Sequence, residues 1–106
     1  MNSTIKDMIE RRSIRKFRAD EVPQALIDEV IEAGLYAASG KGKQSPIIVA
    51  VTNPDLRTQI SRDNCRIGGW QEGHDPFYGA PVILMVLAPK VVPTAVEDGS
   101  LVLGNL

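Results

Sequence analysis

Ile47-Ile48-Val49-Ala50-Val51 is an unbroken apolar run of five residues, largely β-branched, entered through Ser45-Pro46 and left through Asn53-Pro54. Polar and apolar residues do not alternate in it, so it reads as a strand covered on both faces. Val82-Ile83-Leu84-Met85-Val86-Leu87-Ala88, introduced by Ala80-Pro81, repeats the pattern. Two such strands in one short chain predict an α+β fold, a central sheet flanked by helices.

Outward from the first strand, the signals turn helical on both sides. Asn53-Pro54-Asp55 supplies a cap and a first-turn proline, and Leu56 and Ile60 carry the helix inward as far as Asn64. On the N-terminal side, Val22-Pro23 opens a helix whose apolar stripe is Leu26, Ile27, Val30, Ile31, Gly34, Leu35 and Ala38. Gln24, Asp28, Glu29 and Glu32 lie opposite, and the helix ends at Ser39-Gly40. A further helix is expected from Thr4, with Ile5, Met8 and Ile9 at helical spacing, to Arg11 or Arg12. Past the second strand, Glu97 and Asp98 suit a first helical turn after Thr94, and Leu101, Val102, Leu103 and Leu106 make the last helix apolar on most sides. It reaches Leu106 without a glycine, proline or basic stop, so the fold is expected to be truncated and the natural polypeptide to continue.

Composition narrows the function classes. The chain has 106 residues, 43% hydrophobic and 24% charged, and fits one domain, 1-106. With 12 basic and 13 acidic side chains, it has no positive field for a dedicated nucleic-acid binder, and its five aromatic residues are too scattered for a stacking platform. No apolar run approaches the roughly 20 residues of a membrane span, and the N-terminus lacks the layout of a signal peptide. Cys65 is the single cysteine, which excludes an intramolecular disulfide. A reducing, cytoplasmic setting without membrane attachment is the expectation.

Two segments carry candidate chemistry. Arg11-Arg12-Ser13-Ile14-Arg15-Lys16-Phe17 places four cations and a hydroxyl within seven residues. Guanidinium forks and a serine hydroxyl suit phosphate oxygens, and in an extended segment Arg11, Ser13 and Arg15 share one side. The plainer alternative is a set of solvated cations at a helix C-terminus. Ala38-Ser39-Gly40-Lys41-Gly42-Lys43-Gln44-Ser45-Pro46 is a cationic loop with two glycines. Gln44 stands where a Walker loop needs Ser or Thr, and Ser45 where a dinucleotide fingerprint needs glycine. What remains is backbone able to approach a planar ligand, against the plainer alternative of a helix cap and loop. His74 lacks a second ligand at metal-binding spacing, Cys65 reads as a partly buried small side chain, and Trp70 as packing.

In this order the segments resemble the nitroreductase family of FMN-dependent NAD(P)H oxidoreductases. The resemblance rests on Arg11 to Phe17, on the Val22-Pro23 helix ending in Ala37-Ala38-Ser39-Gly40 with Gln44 beyond, on Asp75-Pro76-Phe77-Tyr78-Gly79-Ala80-Pro81, and on Asp98-Gly99-Ser100. It implies that Arg11, Arg12, Ser13 and Arg15 hold the FMN phosphate and ribityl chain. It further implies that Ala38, Ser39, Gly40, Gly42 and Gln44 reach a partner subunit's flavin in a homodimer, and that Asn64, after the third helix, contacts the ring. NADH or NADPH would be the reductant, and a nitroaromatic, quinone or unsaturated carbonyl compound the small-molecule acceptor, in a ping-pong sequence without a catalytic acid, base or nucleophile from the protein. The family commonly has Pro at Ala38, Asn at Gly42 and no residue between Gln44 and Pro46, and it continues with a section that completes the site. The alternative from another class is a non-catalytic flavin- or nucleotide-binding protein, or an incomplete fragment.

Overall fold

A computed structural model describes residues 1–106. Strands β1 (Ile47–Val51) and β2 (Ile83–Leu87) pair antiparallel, with Val49 opposite Met85 and Val51 opposite Ile83. Helix α3 (Pro54–Gly68) and the loop after it connect them. Helices α1 (Ser3–Glu10) and α2 (Gln24–Leu35) precede the sheet, and α4 (Ala95–Asn105) follows it. The α+β architecture expected from the two apolar runs is the one observed.

The helix ends show where local chemistry acts. Asn2, not Thr4, caps α1: its side-chain oxygen accepts from the Ile5 N–H at 2.9 Å. Asn53 caps α3 by accepting from both Asp55 and Leu56 N–H at 3.0 Å. That helix runs four residues past the expected Asn64 and stops where Gly69 adopts a left-handed φ of 74°. Helix α2 begins after Pro23 and ends at Leu35, earlier than its apolar stripe suggested, because Tyr36 and Ala37 turn back onto the Ala33 and Gly34 carbonyls.

Packing centres on the junction of α2, β1 and α4. Gly34 is buried, and a Cβ built on it would lie 2.6 Å from Leu106 and 2.9 Å from Ile48. Glycine therefore permits the close approach of helix, strand and the end of α4. Asn105 ties the same corner by donating its side-chain amide to the Ala33 carbonyl at 3.0 Å. Ile27, Val51, Cys65, Ile83 and Val102 are the buried apolar residues.

Two nearly continuous apolar strands need cover on both faces, which one small chain is not expected to supply, and within this chain the strands are only partly covered. Ile47 is 56% exposed and Leu87 47%, and Leu26, Leu35, Leu101 and Leu103 are also exposed. Only eight of 106 residues are buried, and the radius of gyration is 15.4 Å, where a self-contained domain of this length has about 13 Å. The physical reason is placement: α2 and α4 are the helices that pack substantially on the two strands, while α1 is exposed throughout.

Candidate functional site

The basic segment leaves α1 in an extended conformation, with Arg11 at φ −51° and ψ 137° and no regular structure up to Val22. Arg12 is turned back onto the helix. Its guanidinium donates to the Ile9 carbonyl at 3.0 Å and to the Arg11 carbonyl at 2.9 Å, satisfying acceptors that a helix C-terminus leaves open. Arg11, Ser13 and Arg15 make no side-chain hydrogen bond or ion pair within the chain and are exposed. Arg18 pairs with Asp20. Three of the four phosphate candidates thus keep their donors free, and the fourth is partly spent on the helix end.

The second segment is a tight loop with an unusual backbone. Lys41, Gly42 and Gln44 all have positive φ, at 55°, 64° and 50°. Glycine adopts this conformation freely, but for the two residues with side chains it costs roughly 1–3 kcal/mol each. Local bonds close the turn: the Gln44 N–H donates to Ser39 Oγ at 2.8 Å, and Gly42 N–H to the Ser39 carbonyl at 3.0 Å. The Gln44 side chain reaches back to the Leu35 carbonyl at 3.3 Å. No atom lies within 4 Å of a Cβ built on Gly42, so that side of the loop is open.

Ala38, Ser39 and Gln44 line a cleft of about 250 Å³ together with Leu35, Pro46 and Ile48. This is below the roughly 300 Å³ at which small-molecule pockets usually begin. No hydrogen bond or ion pair joins residues 11–17 to this loop. Asn64 lies inside α3 rather than after it, and its side-chain amide donates to the Ile60 carbonyl at 2.9 Å.

Two acidic residues shape the surroundings; the sequence places Asp98 in a first helical turn and Asp75 in a segment of the family resemblance, but shows the bonding partners of neither. Asp98, 2% exposed on the first turn of α4, accepts from the Gly40 N–H at 2.9 Å and from Thr94 Oγ1 at 2.8 Å. Asp75 accepts from Arg57 at 2.6 Å and from Ser61 Oγ, Phe77 N–H and Gly79 N–H at 2.9 Å each. Burial pushes the Asp75 carboxyl up, but the Arg57 guanidinium, the two N–H groups and the hydroxyl outweigh it and hold it well below the usual carboxylate range. Asp followed by a turn is the signature of a side chain bonding backbone two residues on, and Asp75-Pro76-Phe77 carries it. Asp98 left no such signal, because its partner is 58 residues away.

Between α3 and the following loop lies a wider cleft of about 870 Å³, flanked by Trp70 and His74, whose rings are 5.4 Å apart. Trp70 is half exposed and its indole rests on Gly68, where a Cβ would lie 2.4 Å from the ring. Cys65 is buried beneath, with Sγ 3.2 Å from the Gln71 carbonyl. No helix is long and apolar enough to cross a membrane.

Residues 8–66 match the sequence model described as the Nitroreductase family. An NADH dehydrogenase of Thermus thermophilus is 35% identical over 80 residues, covering 76% of this chain and 36% of that protein. The FMN reductase [NAD(P)H] of Bacillus subtilis is 32% identical over 88 residues, covering 83% of this chain and 32% of that protein. Among solved structures, an FMN-dependent nitroreductase of Clostridium difficile R20291 superposes with a TM-score of 0.87 at 28% identity, over 98% of this chain and 53% of that one. The chain spans about a third of the length of these curated relatives and about half of the solved structure. With more than half of its residues inside the family's model and nearly all of them on the fold of an FMN-dependent member, the chain belongs to the nitroreductase family.

Proposed function

We propose that this protein is an FMN-dependent NAD(P)H oxidoreductase that works as a homodimer. The observation that carries the reading is the set of unspent donors on Arg11, Ser13 and Arg15, in a family whose named relatives are flavin and nicotinamide enzymes.

The residues suit the cofactor in kind. Guanidinium groups and a hydroxyl free of internal partners favour a phosphate, because binding it breaks no existing bond. Arg12 contributes its charge while staying on the helix end. The open side of Gly42 and the bared loop backbone leave room for a planar ring system. When bound, FMN would supply the electron chemistry, accepting hydride from NADH or NADPH and passing it to a nitroaromatic, quinone or related acceptor in a ping-pong sequence. The protein's own task is to bind, orient and cover; no side chain is required as acid, base or nucleophile.

Dimerisation is supported by the exposed apolar residues of β1, β2 and α4. A second copy would bury them and bring the loop of one subunit toward the basic segment of the other. An unpaired Cys65 and the absence of a long apolar helix favour the cytoplasm as the working compartment.

The test is an FMN titration followed by flavin fluorescence on wild type and Arg11→Ala. Losing one charge-assisted contact lowers FMN affinity by about 1.5–3 kcal/mol, more than tenfold. Unchanged affinity would remove Arg11 from the site.

A further inference from the structure

We propose that Asp98 is a positioning residue: its buried carboxylate on α4 clamps the Gly40 backbone and so sets the shape of the Ser39–Gln44 loop that meets the flavin. The inference rests on the flavin reading above.

Asp98 has no cationic partner, since no ion pair involves it. A carboxylate 2% exposed without a counter-charge is costly and persists only when hydrogen bonds hold it. Here both oxygens are used. One accepts from the Gly40 N–H at 2.9 Å and the other from Thr94 Oγ1 at 2.8 Å, and the position in the first turn of α4 adds the favourable end of the helix dipole. The Thr94 side chain is pressed against the same residue: a Cβ on Gly40 would lie 2.2 Å from its Oγ1 and 3.0 Å from its Cβ and Cγ2.

The clamp falls at the start of a strained segment. Lys41 and Gln44 hold positive φ, a conformation that persists only when its surroundings over-determine it. Most bonds within the loop join it to itself, through Ser39 Oγ and the Ser39 and Gly40 carbonyls. The Gly40 N–H to Asp98 bond is the long-range tie, fixing the turn to the body of the fold across 58 residues. It also removes Gly40 N–H from the donors available to a ligand, so the loop must bind through its other groups.

The experiment uses two readouts on the purified protein: hydrogen exchange of the Gly40 amide by NMR, and FMN affinity by fluorescence titration. Asp98→Ala is expected to speed Gly40 exchange and weaken FMN binding by about tenfold or more, the equivalent of one charge-assisted bond. Asp98→Asn, whose amide oxygen can still accept from Gly40, should restore both readouts most of the way. Should Asp98→Ala fail to fold, Gly40→Ala serves instead: it leaves Asp98 intact, pushes the loop off Thr94 and should reproduce both losses. A Gly40 amide that exchanges equally fast in wild type and variant, or an FMN affinity unchanged by Asp98→Ala or Gly40→Ala, overturns the proposal. Protected Gly40 in a wild type that binds no FMN would sustain the clamp but overturn its flavin role together with the reading beneath it.

Discussion

Replacing Asp75 by Ala removes a carboxylate that accepts four hydrogen bonds and ties α3 to the loop entering β2. The Arg57 side chain is only 14% exposed, and without Asp75 its guanidinium retains one bond, from Nε to the Ala80 carbonyl at 2.8 Å. Breaking a buried pair on one side costs about 3–5 kcal/mol, because the remaining charge stays desolvated. Asp75 is itself 30% exposed, which places the expected loss at the low end, about 3 kcal/mol, or on the order of 15 °C in Tm for a small domain. Urea unfolding followed by circular dichroism measures it. The same carboxylate sets an acid limb. Its folded pKa lies below the unfolded value of about 4, so its contribution is complete above that pH and is lost as pH falls toward the folded value. Asp75→Asn has no such charge to lose and should show a flatter decline below about pH 4. A stability change under about 1 kcal/mol for Asp75→Ala, or an Asp75→Asn acid limb as steep as that of wild type, would refute the reasoning.

The other predictions concern local joints. Asn53→Ala strips the acceptor from the Asp55 and Leu56 N–H groups and should destabilise α3 by about 1 kcal/mol in urea unfolding, whereas Asn53→Ser or Asp should retain most of the cap. Gly68→Ala puts a methyl where the Trp70 indole rests and should drive the ring outward. Because Trp70 is the single tryptophan, a red shift of its emission reads the displacement directly, and unchanged emission argues against the packing described.

What the sequence could tell depended on how far apart the interacting groups lie. The unbroken apolar runs located both strands, since strand identity there is written in adjacent residues, and Asn53-Pro54 located the start of α3. The start of α1 was misplaced by two residues, because Asn2 and Thr4 are both competent caps and only the geometry of the Ile5 N–H distinguishes them. Asn64 is expected at the end of a helix that in fact continues to Gly68, since Cys65, Arg66 and Ile67 carry no stop signal and the left-handed Gly69 ends it. Burial depends on more than the strand sequence. Ile47 and Leu87 belong to runs whose composition calls for cover, yet cover is a property of neighbouring layers and not of the strand. The basic segment was legible as unpaired charge, but the return of Arg12 to the Ile9 carbonyl was not, and the Asp98 clamp on Gly40 lies beyond any local pattern.

One measurement addresses the central claim most directly: the visible absorption of the natively expressed protein, followed under anaerobic conditions while NADH or NADPH and then a nitroaromatic or quinone are added. Flavin absorption that bleaches with the nicotinamide and returns with the acceptor is the predicted result. A colourless protein that stays colourless after incubation with FMN and removal of the excess would contradict it.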